Sequence, residues 1–126
     1  MPKVVCIGNP VYDLISTPSV KPSDRVLSGC STNACLAFSK LGLEGFLVGN
    51  VGGDFSARLK DDLAKRGIEF KLYRSAQTGG FQLEYYDDQG NRHLSILGAA
   101  GDISFEFVPE MKDASLILLG PILGEI

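Results

Sequence analysis

The sequence predicts an α/β fold built on a parallel sheet, with a small β-hairpin added to it. Short, continuously apolar runs such as "KVVCIG" and "GFLVGNVG" read as strands buried on both faces, the mark of a parallel sheet covered by helices. Segments with helical apolar spacing alternate with those runs, which is the α/β order. A third kind of segment alternates in period two around the polar turn "DDQGN" and reads as an antiparallel hairpin.

Taken in order, "KVVCIG" is a strand stopped by Gly-Asn-Pro, and residues 16–29, with Pro18 and Pro22, form a loop or at most a short irregular hairpin. In "STNACLAFSKLG", Ala34, Ala37, Phe38 and Leu41 fall at i, i+3, i+4 and i+7. Ser31 or Thr32 is the expected N-cap of that helix and Gly42 its stop. "GFLVGNVG" is the next buried strand. A second helix follows in "DFSARLKDDLAKRGIEF", capped by Asp54, with Phe55, Leu59 and Leu63 on one stripe and Gly67 at its end. After the hairpin, "GFQLEYY" to "RHLSIL", the run "ASLILLG" is a last buried strand. Ile126 falls where a βα unit begins its next helix, so the chain is expected to stop inside a fold.

Composition narrows the function. With 126 residues, 44% hydrophobic and 21% charged, the chain has room for one small core. The formal charge of -3 comes without a Lys/Arg cluster, which removes the footprint that nucleic acid or an anionic membrane surface requires. The apolar stretch 114–124 is broken by Gly120 and Pro121 and is shorter than the roughly 20 residues of a spanning helix. Cys6, Cys30 and Cys35 match no zinc spacing, and the apolar run after Met1 is too short for a secretory core. Three reduced thiols and a cytoplasmic protein are expected.

Two places carry chemistry. Gly29 allows close backbone approach just before a helix whose opening N–H groups are unsatisfied donors, and Asn33 adds an amide with donors and acceptor; a plain turn and cap is the alternative. Asp13, with Asn9 nearby, lies just past the first strand, where open α/β sheets place ligands; a turn or cap role is again the alternative. Nucleotide motifs are missing: no Gly-Lys-Ser/Thr loop occurs, and "GNVGG" lacks the G-x-G-x-x-G order. His93 and Cys30 have no partners for acid-base or thiol chemistry and read as structural.

The segment "SGCSTNACLAFSKLGLEGFLVGNVGGD" resembles the N-terminal signature of the PfkB, or ribokinase-like, carbohydrate kinases: Gly29, Asn33, Gly42 and Gly52 fall on its Gly, Asn and Gly positions. Ser28, Ser31 and Cys35 depart from the pattern with other small residues. The resemblance implies a three-layer ribokinase-like (Rossmann-like) fold of which residues 1–126 are the N-terminal, substrate-binding half. It implies Asn9, Asp13, Gly29 and Asn33 as substrate-binding residues for a sugar or nucleoside. The family reaction is ATP-dependent phosphoryl transfer to a hydroxymethyl group, with ATP and Mg2+ as cofactors of the full-length member. Neither cofactor, no metal and no catalytic residue is expected on this chain, which alone is expected to be inactive. "LGAAGDIS" resembles the family's earlier Gly-Ala segment rather than its anion hole, because an alternating strand precedes it and a β-branched, aromatic stretch follows; Asp102 is then a loop or cap residue. A reduced lid built mainly by residues 80–97 is expected, with a homodimer among the implied partners. The alternative is a naturally short, non-catalytic sugar-binding or association module.

Overall fold

The computed structural model describes residues 3–104, 106, 108 and 112–126. Ten elements follow in order: β1 (Lys3–Ile7), β2 (Val11–Ser16), β3 (Val26–Ser28), α1 (Cys30–Lys40), β4 (Glu44–Gly52), α2 (Ser56–Lys65), β5 (Glu69–Ser75), β6 (Gly80–Tyr85), β7 (Arg92–Gly98) and β8 (Ala114–Leu119). They form two four-stranded sheets. The first, in order β5-β4-β1-β8, is parallel throughout, with Cys6 opposite Leu47 on one side and Leu118 on the other. The second, β3-β2-β6-β7, is the lid sheet, in which only β2 and β6 run parallel. The α/β class, the parallel sheet and the hairpin agree with the sequence expectation.

The parallel sheet explains its own sequence. Side chains alternate across a strand, so a strand covered on both faces must be apolar at every position. In β1, Val4 and Cys6 pack with Leu47 of β4, Cys35 of α1 and Leu59 and Leu63 of α2. Val5 and Ile7 face the other way, onto Val48 and Ile103. Both helices therefore cover one face. Leu59 and Leu63 are fully buried, each worth about 1.5–3 kcal/mol of transfer free energy.

Both helix starts differ from expectation. The α1 helix opens at Cys30 with Gly29 at its cap, not at Ser31 or Thr32. Ser31 is taken inward instead: its hydroxyl donates to Ile7 O at 2.7 Å, tying the helix to the end of β1. The α2 helix is preceded by Phe55 rather than capped by Asp54. Asp54 accepts a hydrogen bond from the Thr78 hydroxyl at 2.6 Å, and the Phe55 ring stacks on Tyr12 with centroids 4.5 Å apart. Tertiary partners outbid local capping at both ends.

Two strands escaped the sequence reading. Asp13 lies within β2, an interior strand of the lid sheet, not in a turn, and β5 continues directly from the turn after α2. The arm formed by β2 and β3 is short, with three register pairs, and residues 17–25 hold no strand, so β6 and β7 supply most of the lid's paired length. Their turn is closed by Asp87, which accepts from the N–H groups of Gln89 and Asn91 and from the Asn91 amide; those bonds, the amide first, hold its carboxyl below the usual carboxylate range. The edges are less covered. In β7, Leu94 and Ile96 are 58% and 60% exposed, and in β8 Leu116, Ile117 and Leu119 are exposed as well. No helix among the described residues is long and apolar enough to cross a membrane.

Candidate functional site

Beyond the carboxyl ends of the parallel strands lies a cavity of about 160 Å³, the place where open α/β sheets hold ligands. Asn9, just after β1, and Glu125, after β8, line it from the sheet side; Val11 and Phe81 line it from the lid. The loop after β7 contributes Ala100 and Asp102.

The sheet side is fixed by a lattice of hydrogen bonds. Asn9 Oδ1 accepts from Asn50 N at 2.8 Å, and Asn9 Nδ2 donates to Gly101 O at 2.9 Å. The Asn50 amide donates to the carbonyls of Gly101 and Asp102 at 2.9 and 2.8 Å. Glu125 closes the lattice: Oε2 accepts from Asn9 N at 2.9 Å, and Oε1 accepts from Ile122 N and Leu123 N at 2.8 and 2.9 Å. Asn9, Asn50 and Glu125 are each no more than 4% exposed. A polar group buried that deeply is stable only when paired. Burial alone raises the Glu125 carboxyl, yet the backbone N–H groups of Asn9, Leu123 and Ile122 together hold it below the usual carboxylate range.

Of the four residues expected to bind substrate, Asn9 lines the cavity. Asp13 is buried behind the lid wall, its Oδ1 accepting from the N–H of Phe81 at 2.9 Å, which aims a wall residue into place. Gly29 has φ 113°, and a Cβ there would stand 3.2 Å from Asn9 O and 3.5 Å from Val11 N. So Asn9, Asp13 and Gly29 gather around the Asn9–Val11 turn. Asn33 is exposed in the first turn of α1, its N–H donating to Gly29 O at 2.8 Å, and does not line this cavity.

Asn50, Phe81 and Glu125 were missed. A lone amide inside the buried run "GFLVGNVG" was the available signal for Asn50, since a buried polar residue is the informative exception. Asp102 lies in irregular chain and residues 101–104 form no helix; Glu106 beyond them is in a 3-10 turn, and Phe105 and Phe107 of the β-branched, aromatic stretch lie outside the described residues.

The donor set bears on phosphates and metals. The charged groups lining the cavity are two carboxylates, Asp102 and Glu125, with no Lys or Arg. Among the described residues no three His, Cys, Asp or Glu side chains come together around one point. These lining residues offer a nucleoside triphosphate no cationic side chain.

No curated protein sequence matches the chain. Among solved structures, it is similar to ribokinase from Giardia lamblia, with 23% identity and a TM-score of 0.76 over 94% of this chain and 44% of that one. Fructokinase from Xylella fastidiosa matches at 23% identity and TM-score 0.75, over 93% and 40% of the two chains. A nucleoside kinase of the ribokinase family from Methanocaldococcus jannaschii matches at 21% and 0.69, over 94% and 44%. The chain thus spans less than half the length of each, and at these identities the likeness speaks for the fold. The sequence profile of the pfkB family carbohydrate kinases matches residues 1–122, and the chain belongs to that family.

Proposed function

We propose that this chain is the substrate-recognition part of an ATP-dependent sugar kinase, holding a sugar at the cavity beside Asn9 while the phosphate donor is bound by sequence other than these 126 residues. The observation that carries this reading is the hydrogen-bonded lattice of Asn9, Asn50 and Glu125, which fixes the cavity's shape before any ligand arrives. Preorganised polar groups at the end of a parallel sheet suit a small polar ligand. At about 160 Å³ the cavity is below the roughly 300 Å³ of drug-sized pockets, which favours a monosaccharide over a nucleoside.

In this reading Asp13 sets the lid strand through Phe81 N, Gly29 brings the α1 start against Asn9, and Asn33 offers its exposed amide to the part of the substrate reaching past α1. The exposed apolar residues of β8 support a further packing partner for the parallel sheet. That same surface favours a second reading, a non-catalytic module that binds sugar and associates through β8. A cytoplasmic location accords with three free cysteines, two of them buried.

The experiment has two arms. An assay of ADP release, coupled to a reporter enzyme, with D-ribose, D-fructose and adenosine should show no turnover by this chain, because the cavity lacks the groups to hold a donor. Calorimetry should show sugar binding that weakens about tenfold or more in Asp13→Asn, a hydrogen bond to a charged group being worth about 1.5–3 kcal/mol, and less in Asn33→Ala, whose neutral amide lies outside the cavity. Unchanged affinity in both variants would move the site elsewhere.

A further inference from the structure

We propose that the cavity beside Asn9 takes a neutral, unphosphorylated polyol and rejects the corresponding sugar phosphate, with Asp102 as the specificity-determining residue at its rim. The proposal rests on the sugar-site reading above and narrows its substrate class. Binding a phosphate monoester takes cationic side chains or a cluster of free main-chain N–H groups. No Lys or Arg lines this cavity, and half of its lining residues have their N–H groups already taken.

The charged lining groups are Asp102, which is exposed, and Glu125, which is buried. Five of the ten lining residues spend their main-chain N–H groups within the protein. Asn9, Ile122 and Leu123 donate their N–H groups to Glu125, Phe81 donates to Asp13, and Ala99 donates to Gln77 Oε1 at 3.2 Å. Arg25, which comes close to Gly80, does not line the cavity: its Nε donates to the carbonyl of Tyr12 at 2.8 Å and it stacks over the Phe55 ring, while its buried Nη2 has no partner among the described residues. The residues outside the described set include no Lys or Arg. A phosphate turned inward therefore meets the Glu125 carboxylate, and one turned outward meets Asp102.

The same inventory welcomes hydroxyl groups. Each sugar hydroxyl is a donor in search of an acceptor, and the free acceptors here are the Asp102 carboxylate and loop carbonyls. The apolar walls, Val11 and Phe81, suit the C–H faces of a sugar ring.

The test is an amide-detected NMR titration of the 126-residue chain with D-fructose and D-ribose, with D-fructose 6-phosphate and D-ribose 5-phosphate, and with inorganic phosphate alone, at low and high salt. The neutral sugars should shift the Asn9 and Ala100 amides, with each phosphate monoester at least about tenfold weaker at low salt, a factor within reach of one like-charge contact. High salt should narrow that gap by screening the exposed carboxylate. D102N should narrow it about threefold or more, which a purely steric exclusion would not do. Equal or tighter binding of the phosphates, or a ratio indifferent to both D102N and salt, overturns the selectivity and leaves the sugar site standing. No shift by any sugar overturns the sugar site and this proposal together.

Discussion

The end of the parallel sheet and the lid sheet that faces it are built on opposite terms. At the sheet end, Asn9, Asn50 and Glu125 are buried and their polar atoms are paired with one another or with the main chain of residues 101–102 and 122–123. In the lid, six of the seven residues of β7 are exposed, and its ladder to β6 shifts register between Gly80 and Phe81. Stability is concentrated where few alternatives exist. A surface satisfied from within is rigid before ligand arrives, whereas a strand paired along one side and packed on neither face opens at low cost. A sugar site assembled from both has a fixed wall and a movable one.

Removing Asn9 should break this contrast most. Asn9→Leu keeps the branched shape but strands Asn50 N–H and removes one of the two amides that donate to Gly101 O. With about 1–3 kcal/mol for the one buried group left unsatisfied and about 1 kcal/mol for the other lost hydrogen bond, a loss of about 3 kcal/mol is expected in urea unfolding. A loss below about 1 kcal/mol would mean that water replaces the lattice freely.

Glu125→Gln should cost about 2 kcal/mol at pH 7, because it exchanges a charged acceptor of three N–H groups for a neutral amide. Its pH dependence carries a sign. The folded Glu125 carboxyl lies below its usual 4.5, so its stabilisation is present above that value and is lost as pH falls through the lower, folded value. Thermal unfolding of the two proteins should therefore converge as the solution is acidified below about pH 4. A gap that stays constant down to pH 2 would assign the effect to shape alone.

Gly29→Ala should cost roughly 1–2 kcal/mol, the penalty for an L-residue at positive φ, and more if Asn9 O, 3.2 Å from the new Cβ, cannot give way. Sugar affinity should fall with it, since that carbonyl belongs to the cavity's own turn. At the small end, Leu94→Thr and Ile96→Thr in β7 should change stability by less than about 0.5 kcal/mol. A loss above about 1.5 kcal/mol at either position would show the lid packed more firmly than its exposure indicates.

The legibility of the sequence follows the same division. The β1 and β4 strands were plain because two covered faces leave an unbroken apolar run, as Val4 to Ile7 shows, whereas β8 carries the same kind of run but is an edge strand with Leu116, Ile117 and Leu119 exposed, not the buried strand expected. The β2 strand was not, since "VYDLIS" carries a buried Asp13 whose donor, the Phe81 N–H, is in place only after a strand 68 residues away has docked. Helix caps failed for the same reason. Ser31 and Asp54 have the right chemistry to cap, but Ile7 O and the Thr78 hydroxyl claim them. Of the site, Gly29 and Asn9 could be read from turn chemistry and position after β1. Glu125 could not, because its carboxylate is organised by main-chain N–H groups that no side-chain pattern reveals.

Hydrogen exchange on the chain with and without saturating D-fructose tests most directly whether a prebuilt floor and a movable lid form one sugar site. The amides of Asn50 and Ile103, each donating within the floor, should be protected before sugar is added and change little. The amides of β7, the edge strand of the lid, should exchange readily without sugar and slow about tenfold or more with it, a shift of about 1.4 kcal/mol in local opening. Fast exchange at Asn50 and Ile103 in the free chain, or a lid whose exchange is indifferent to sugar, would contradict it.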